Sequence, residues 1–557
     1  MLEASKVSVH YRGGDAAALD GVSLRVDAGE IVSLVGANGS GKSTLGALLC
    51  AMRLPDTGSV TVDGADPARS AADRREMRRR VGLVRQHPFD QLVSTVVFDE
   101  VAFGPRNLGL DRDAVRARVD RALARVGLDG LERRDTTALS GGEQQRLALA
   151  GVLAMEPSYI VLDEASSMLD ASARPRYRAL VAELAASGIG IVQITHDPLE
   201  ILSSRRAVVL DAGRVAFEGA PLDLLLDHAD LWNETIVSHP AVEALRYACG
   251  RGFHPSGTPT PQAAVSWLLD GYRASRIDRA DIAHALACCA GRGAGGVRRD
   301  VCPENANPVV AIDGVSYSYD GREQVLRDVS LDLRAGEVAL IAGTSGSGKS
   351  TLACIAAGLI ASDAGTVAVC GAAPRPGDVG MAFQRPEDQL FCESVADELA
   401  FAPRNLGCDE DEVAVRVRRA AGFVGLDDAL MGRYPFELSG GQARRVAVGS
   451  VLSLEAAAYI LDEPTAGLDA AGRDHMHALA RNLADAGRAV AIISHDLEEW
   501  LDVVDRVVFV RDGRIVWSGS AGSLHEDAGA FAAAGLDAPL SFELARALRE
   551  ALDGGRP

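Results

Sequence analysis

The stretch GANGSGKST at residues 36–44 recurs as GTSGSGKST at 343–351, and both fit G-x-x-x-x-G-K-[ST]. The chain carries 57 Lys plus Arg, yet only three are lysines: Lys6, Lys42 and Lys349. Two of the three hold the same place in a repeated motif. That motif is a phosphate-binding loop, in which successive backbone N–H groups line an anion site and the next helix adds its positive N-terminus. Gly36, Gly39 and Gly41, and likewise Gly343, Gly346 and Gly348, leave the backbone open to phosphate oxygens. Lysine supplies a compact charge on a flexible stem, for which arginine's planar fork is a poor substitute. Asn38, Ser40 and Thr44 complete the first loop, and Ser345, Ser347 and Thr351 the second. Ser43 and Ser350 are candidate Mg²⁺ ligands.

Aligning the two lysines aligns much else. Lys349 follows Lys42 by 307 residues, and Gln384 follows Gln86 by 298. Ser439, Asp462 and His495 each follow Ser140, Asp163 and His196 by 299. The halves share one layout, with nine extra residues in the first, near the basic, polar PARSAADRREMRRR, which reads as a surface elaboration. Each loop follows a strand-like run, IVSLVG or VALIAG, and precedes a predicted helix. Later runs YIVLD and IGIVQITH, with AYILD and AVAIISH, predict buried parallel strands of an α/β core. The Arg/Ala-rich stretch between Gln86 and LSGG predicts a helical subdomain. The layout predicts domains at 1–225 and 309–522, a helical extension at 226–290, a Gly/Pro/Asn-rich linker at 291–308 and a helical C-terminal extension at 523–557.

At 557 residues, two or more cores are expected. A net charge of −20 disfavours a broad nucleic-acid binder. The nine cysteines form no CxxC pair and read as free thiols of a reducing cytosol. No apolar run is long enough for a membrane span, and the start MLEASKVSVHYRGG has no signal core.

LSGGEQQR (139–146) and LSGGQARR (438–445) match the signature sequence of ATP-binding cassette (ABC) proteins. Read physically, Ser140-Gly141-Gly142 and Ser439-Gly440-Gly441 each open a helix as a second anion site. The resemblance covers roughly four-fifths of the chain as two complete cassettes. It implies two tandem P-loop NTPase domains, each with a RecA-like core and a helical subdomain. It implies that each signature completes the ATP site of the other half. YIVLDEA and AYILDEP place Asp163 and Asp462 as Mg²⁺ ligands, and Glu164 and Glu463 as the groups that orient or deprotonate the attacking water. Adjacent side chains on an extended strand point opposite ways, which suits two distinct roles. By the same resemblance His196 and His495 contact the γ-phosphate, Gln86 and Gln384 serve Mg²⁺ and water, and Tyr11 and Tyr319 stack on adenine. The loops ASSMLD, ending at Asp170, and PTAGLD, ending at Asp469, differ without loss of a catalytic group, so two hydrolytic sites are expected.

QHPFDQLVSTVVFDEVAFGPRNLGL (86–110) and QRPEDQLFCESVADELAFAPRNLG (384–407) resemble the ATPases of energy-coupling factor (ECF) transporters, which import vitamins and transition-metal ions. That likeness implies a transmembrane coupling protein and a substrate-binding membrane subunit as partners. It also implies a peripheral place on the cytoplasmic face of the membrane, and intramolecular pairing of the halves without an obligate homodimer. Asp99, Glu100, Asp397 and Glu398 are candidate acidic contacts for the coupling protein's arginines. Rival readings are a fused ATPase for sugar or peptide import, a soluble ABC-F-type translation factor and a DNA-repair ATPase. The connector from Pro221 to Pro308 holds ten acids against eight arginines, which argues against an RNA-approaching linker. No long heptad insert marks a repair ATPase.

Overall fold

The computed structural model describes the chain except for residues 12–16, 87, 168, 170–172, 256, 290–307, 385–388, 439, 467, 525–526, 528 and 554–557. Ser439, Asp170 and nearly all of the expected linker lie outside the described residues. The chain divides into two compact units, Met1–Ile277 and Asp278–Pro557.

The first unit is built on a six-stranded sheet in the order Val81–Val84, Tyr159–Asp163, Gly190–Ile194, Ile31–Val35, Arg206–Asp211, Arg214–Gly219. The first five strands are parallel and the last is antiparallel. Parallel strands need both faces covered, so they read as unbroken apolar runs. Alternate side chains serve opposite faces. Val161 and Val192 pack with Leu34, Leu45 and Leu48 beneath a three-stranded antiparallel sheet. Ile160, Leu162 and Ile191 pack on the other side with Leu147, Leu149, Val181 and Leu184.

The helices Val97–Asn107, Arg112–Val126 and Gly141–Leu153 pack on one another as the helical subdomain. Asp111 caps the second through its bond from Ala114 N at 2.8 Å, and Gly127 ends it in a left-handed turn. The nine-residue excess lies by a further helix, Ala71–Arg80. It is more than surface decoration, because Met77 is fully buried and Arg78 donates to the Ala51 carbonyl at 2.9 Å.

The second unit repeats the plan in the order Val379–Ala382, Ala458–Asp462, Ala489–Ile493, Val338–Ala342, Arg506–Arg511, Arg514–Ser520. Its helices Val395–Asn405, Glu410–Phe423 and Gly440–Leu452 form the second subdomain.

Much of the described part of 226–289 is helical, and it is shared between the units. Helices Pro240–Gly250 and Pro261–Arg273 pack together in the first unit, each begun by a proline at its first position. Helix Arg279–Cys289 belongs to the second unit, where it packs against the last helix, Leu540–Asp553. Among the described residues no helix is long and apolar enough to cross a membrane, and all eight cysteines are free thiols.

Candidate active sites

In each unit the phosphate loop leaves the central strand of the sheet through a glycine that no other residue can replace without movement. A Cβ on Gly36 would stand 2.2 Å from the Leu210 carbonyl oxygen, and one on Gly343 would stand 2.0 Å from that of Val510. The loop then wraps its own lysine. Lys42 Nζ donates to the carbonyls of Gly36 at 2.6 Å and Ala37 at 2.9 Å, and Lys349 Nζ donates to Gly343 and Thr344 at 2.9 Å. The buried hydroxyls of Ser40 and Ser347 find no hydrogen-bond partner among the described residues. A glycine-rich loop at a helix start, wrapped round an ammonium that is buried in Lys42 and half-buried in Lys349, is chemically suited to phosphate oxygens.

The next strand over ends at the acidic pair. Ser350 Oγ donates to Asp462 Oδ2 at 2.8 Å, and Ser43 Oγ lies 3.5 Å from Asp163 Oδ1. Burial pushes the Asp462 carboxyl up to about 6 against the bond from Ser350, and burial likewise raises Asp163. A buried carboxylate beside a serine hydroxyl is a hard-oxygen donor set that fits Mg²⁺, which takes one or two carboxylates together with substrate phosphates. No cluster of three or more His, Cys, Asp or Glu able to hold a metal occurs among the described residues.

The glutamates do not continue the strand. Glu164 and Glu463 both adopt φ of 48°, a left-handed conformation that few non-glycine residues take. Their amides still bond to Ile194 at 2.9 Å and Ile493 at 2.8 Å. The expectation of two side chains alternating on an extended strand is therefore corrected: a reversal of the backbone at the strand end aims the glutamate.

The two glutamates are held differently. Gln86 Nε2 donates to Glu164 Oε2 at 2.7 Å, and His196 Nε2 lies 3.6 Å from Glu164 Oε1. Glu463 instead receives the amide of His495 at 3.0 Å, its Nδ1 at 2.6 Å and Ser494 Oγ at 3.2 Å. Burial raises the Glu463 carboxyl, but the charge and bonds of His495 outweigh burial and leave it below its ordinary value. Gln384 is exposed, and among the described residues no hydrogen bond joins it to Glu463.

Tyr11 and Tyr319 stand at the loops' outer rims, their hydroxyls 3.2 and 3.1 Å from Thr44 and Thr351 Oγ1. Both rings are exposed, and Arg53 lies over that of Tyr11 at 4.3 Å. Ser140 caps the signature helix in a reciprocal pair with Glu143: Glu143 N reaches Ser140 Oγ at 3.3 Å, and Ser140 N reaches Glu143 Oε2 at 2.8 Å. Gly141 and Gly440 at the two helix starts have open space where a Cβ would be.

Two site residues escaped the sequence reading. Gln145 Nε2 donates to the Arg85 carbonyl at 3.2 Å, and Arg444 Nη2 donates to that of Gln384 at 2.8 Å. Each lies five residues after its signature serine, and their equal offset in the repeat was the available signal. Glu100 and Glu398 are corrected as docking candidates. Each caps a loop, accepting from Val93 and Ser94 (2.8 and 2.7 Å) or from Phe391 and Cys392 (3.0 and 2.8 Å). Asp99 and Asp397 remain near the surface, paired with Arg106 and Arg404.

The family model for ABC transporters matches residues 19–167 and 326–466. The chain belongs to the ABC transporter family. It is an ATPase with two ATP-binding cassettes. A candidate ABC transporter ATP-binding protein of Bifidobacterium longum is 38% identical over 526 residues, covering 89% of this chain, which spans 63% of that relative's length. Another from Methanosarcina acetivorans is 32% identical over 569 residues, covering 98% of this chain and 90% of the relative. The cobalt import ATP-binding protein CbiO of Syntrophus aciditrophicus is 43% identical over 247 residues, 44% of this chain and 87% of that protein. Among solved structures, cbiO1 of Clostridium perfringens, part of the ABC transporter complex cbiONQ, matches at 34% identity and a TM-score of 0.38, over 40% of this chain and 90% of that one.

Proposed function

We propose that this chain is the ATPase pair of an ECF-type importer for a vitamin or transition-metal ion, seated at the cytoplasmic face of a membrane on a transmembrane coupling protein. The observation that carries this reading is the 43% identity to a cobalt-import ATPase over 247 residues. Surface chemistry supports it: each unit exposes aromatic rings around the helix that follows its glutamine loop, Phe89 and Phe103 in the first, Phe391 and Phe401 in the second. Exposed apolar patches rimmed by charge suit a protein partner. Asp99 and Asp397 would answer that partner's basic residues.

In the proposed cycle, ATP binds at Lys42 and Lys349, whose ammonium groups turn from loop carbonyls to β/γ-phosphate oxygens. Mg²⁺, held through Ser43 and Asp163 or Ser350 and Asp462, would neutralise phosphate charge. Tyr11 and Tyr319 offer ring faces to the base. Glu164 and Glu463 orient or deprotonate water, and His196 and His495 contact the γ-phosphate. The signature turns at Ser140 and Ser439 complete the opposite half's site, so each ATP bridges the cassettes. Hydrolysis removes the bridge and the halves part, moving the docked membrane protein. Fusion raises the effective concentration of one half for the other.

Affinity purification of the tagged chain from membranes, with mass spectrometry of the partners, tests the transport reading. Small membrane proteins are expected; recovery of ribosomes without them would overturn it.

A further inference from the structure

His196 is held from outside its own cassette core. Its Nδ1 lies 3.1 Å from the carbonyl oxygen of Thr235, and its own carbonyl accepts from Val237 N at 3.3 Å. A carbonyl only accepts, so Nδ1 carries the proton and the ring orientation is set. Thr235 ends the helix Ala229–Thr235, where the last carbonyls lack helical partners and are free for other donors. That helix is fixed by burial: Trp232, Thr235 and Ile236 are 2%, 5% and 1% exposed.

The second unit handles the equivalent ring differently. His495 Nδ1 faces Glu463 Oε1 at 2.6 Å. The corresponding helix, Ala530–Ala534, has the carbonyls of Ala532 and Ala533 engaged by Arg511 Nη1 at 3.4 and 3.1 Å. The first unit has Asp211 where the second has Arg511. The chain after the two helices also diverges, extended at Ile236 but left-handed at Gly535.

We propose that the segment 232–237 is a clasp that positions His196, so that hydrolysis at the Lys42 site, and not at the Lys349 site, depends on the helical extension. The inference rests on the reading of His196 as a γ-phosphate contact. Trp232, Thr235 and Val237 are positioning residues in it; none would touch nucleotide. Any partner that shifts the extension would thereby gate one of two otherwise similar sites.

Single-turnover cleavage of γ-labelled ATP by the full chain tests it. Glu463→Gln silences the second site and isolates the first; Glu164→Gln does the converse. Trp232→Ala and the milder Thr235→Gly are expected to slow cleavage at least tenfold in the Glu463→Gln chain, with ATP binding within threefold, and Trp232→Phe to restore most of the rate. In the Glu164→Gln chain the same changes should alter cleavage less than twofold. Equal slowing in both backgrounds would refute the clasp as a site-specific device. Slowing by His196→Ala with no effect of either clasp variant would refute the clasp alone. No effect of His196→Ala would remove the role of His196 and the clasp with it.

Discussion

Gln86 donates to Glu164 at 2.7 Å, tying the loop that leads into the helical subdomain to the end of the strand that carries the proposed base. A hydrogen bond to a charged acceptor contributes about 1.5–3 kcal/mol. Gln86→Ala is therefore expected to slow ATP cleavage at the Lys42 site by about tenfold or more. Single-turnover kinetics in a chain whose second site is silenced by Glu463→Gln would measure it. An unchanged rate would show that the contact is idle.

Glu164 and Glu463 are each poised by a reversed backbone rather than by the strand. If they act on water as proposed, replacement of either by Gln keeps the shape and removes that function, so hydrolysis at that site should fall by about 10²–10⁴ while ATP stays bound. Labelled ATP retained through gel filtration is the readout. Normal turnover without retention would count against the assignment.

Gly36 and Gly39 separate two costs of a side chain in the phosphate loop. At Gly36 a Cβ would meet the Leu210 carbonyl, which cannot yield cheaply, whereas at Gly39 nothing lies within 4 Å and only the φ of 84° opposes alanine. Gly36→Ala should destabilise the first unit by about 3 kcal/mol or more, and Gly39→Ala by about 1–2 kcal/mol. Denaturant unfolding of the two variants would rank them; the reverse order would contradict the loop geometry.

Glu200 is buried beside Gln193, which donates to it at 2.8 Å, and burial together with the nearby Asp197 pushes its carboxyl up to about 7. The folded chain then keeps a proton that the unfolded chain releases above its ordinary value of 4.5. Stability contributed by that proton is present at low pH and is lost as pH rises through about 7. Glu200→Gln should cancel this loss, so the variant should gain on the order of 2 kcal/mol over the parent at pH 8 relative to pH 4.5. Unfolding measured at both pH values would show it; a pH-independent difference would not fit. The counterpart Glu499 receives Arg473 at 2.8 Å and lies 3.2 Å from His477 Nε2, so the same change there should destabilise instead.

Much of this arrangement was legible in the chain because it is written in local patterns. The apolar runs before Lys42 and Asp163 read as strands covered on both faces, and the repeat offset carried each assignment from one half to the other. What was hidden depends on contacts distant in sequence. The bond from His196 to Thr235 spans 39 residues and uses a backbone carbonyl, which no side-chain pattern announces. Glu100 and Glu398 read as acidic contacts for a partner's arginines, yet each reaches back to two loop amides. Helix Arg279–Cys289 precedes the linker in sequence but packs with the last helix, and nothing in its composition names that partner.

The proposed cycle turns on each ATP being held by the phosphate loop of one cassette and the signature sequence of the other. Ser140→Arg, placed at the exposed start of the first signature helix, tests it most directly with a photoreactive ATP analogue and separate recovery of peptides containing Lys42 and Lys349. The account predicts that labelling falls at Lys349 and persists at Lys42. Loss at Lys42 with labelling intact at Lys349 would contradict it.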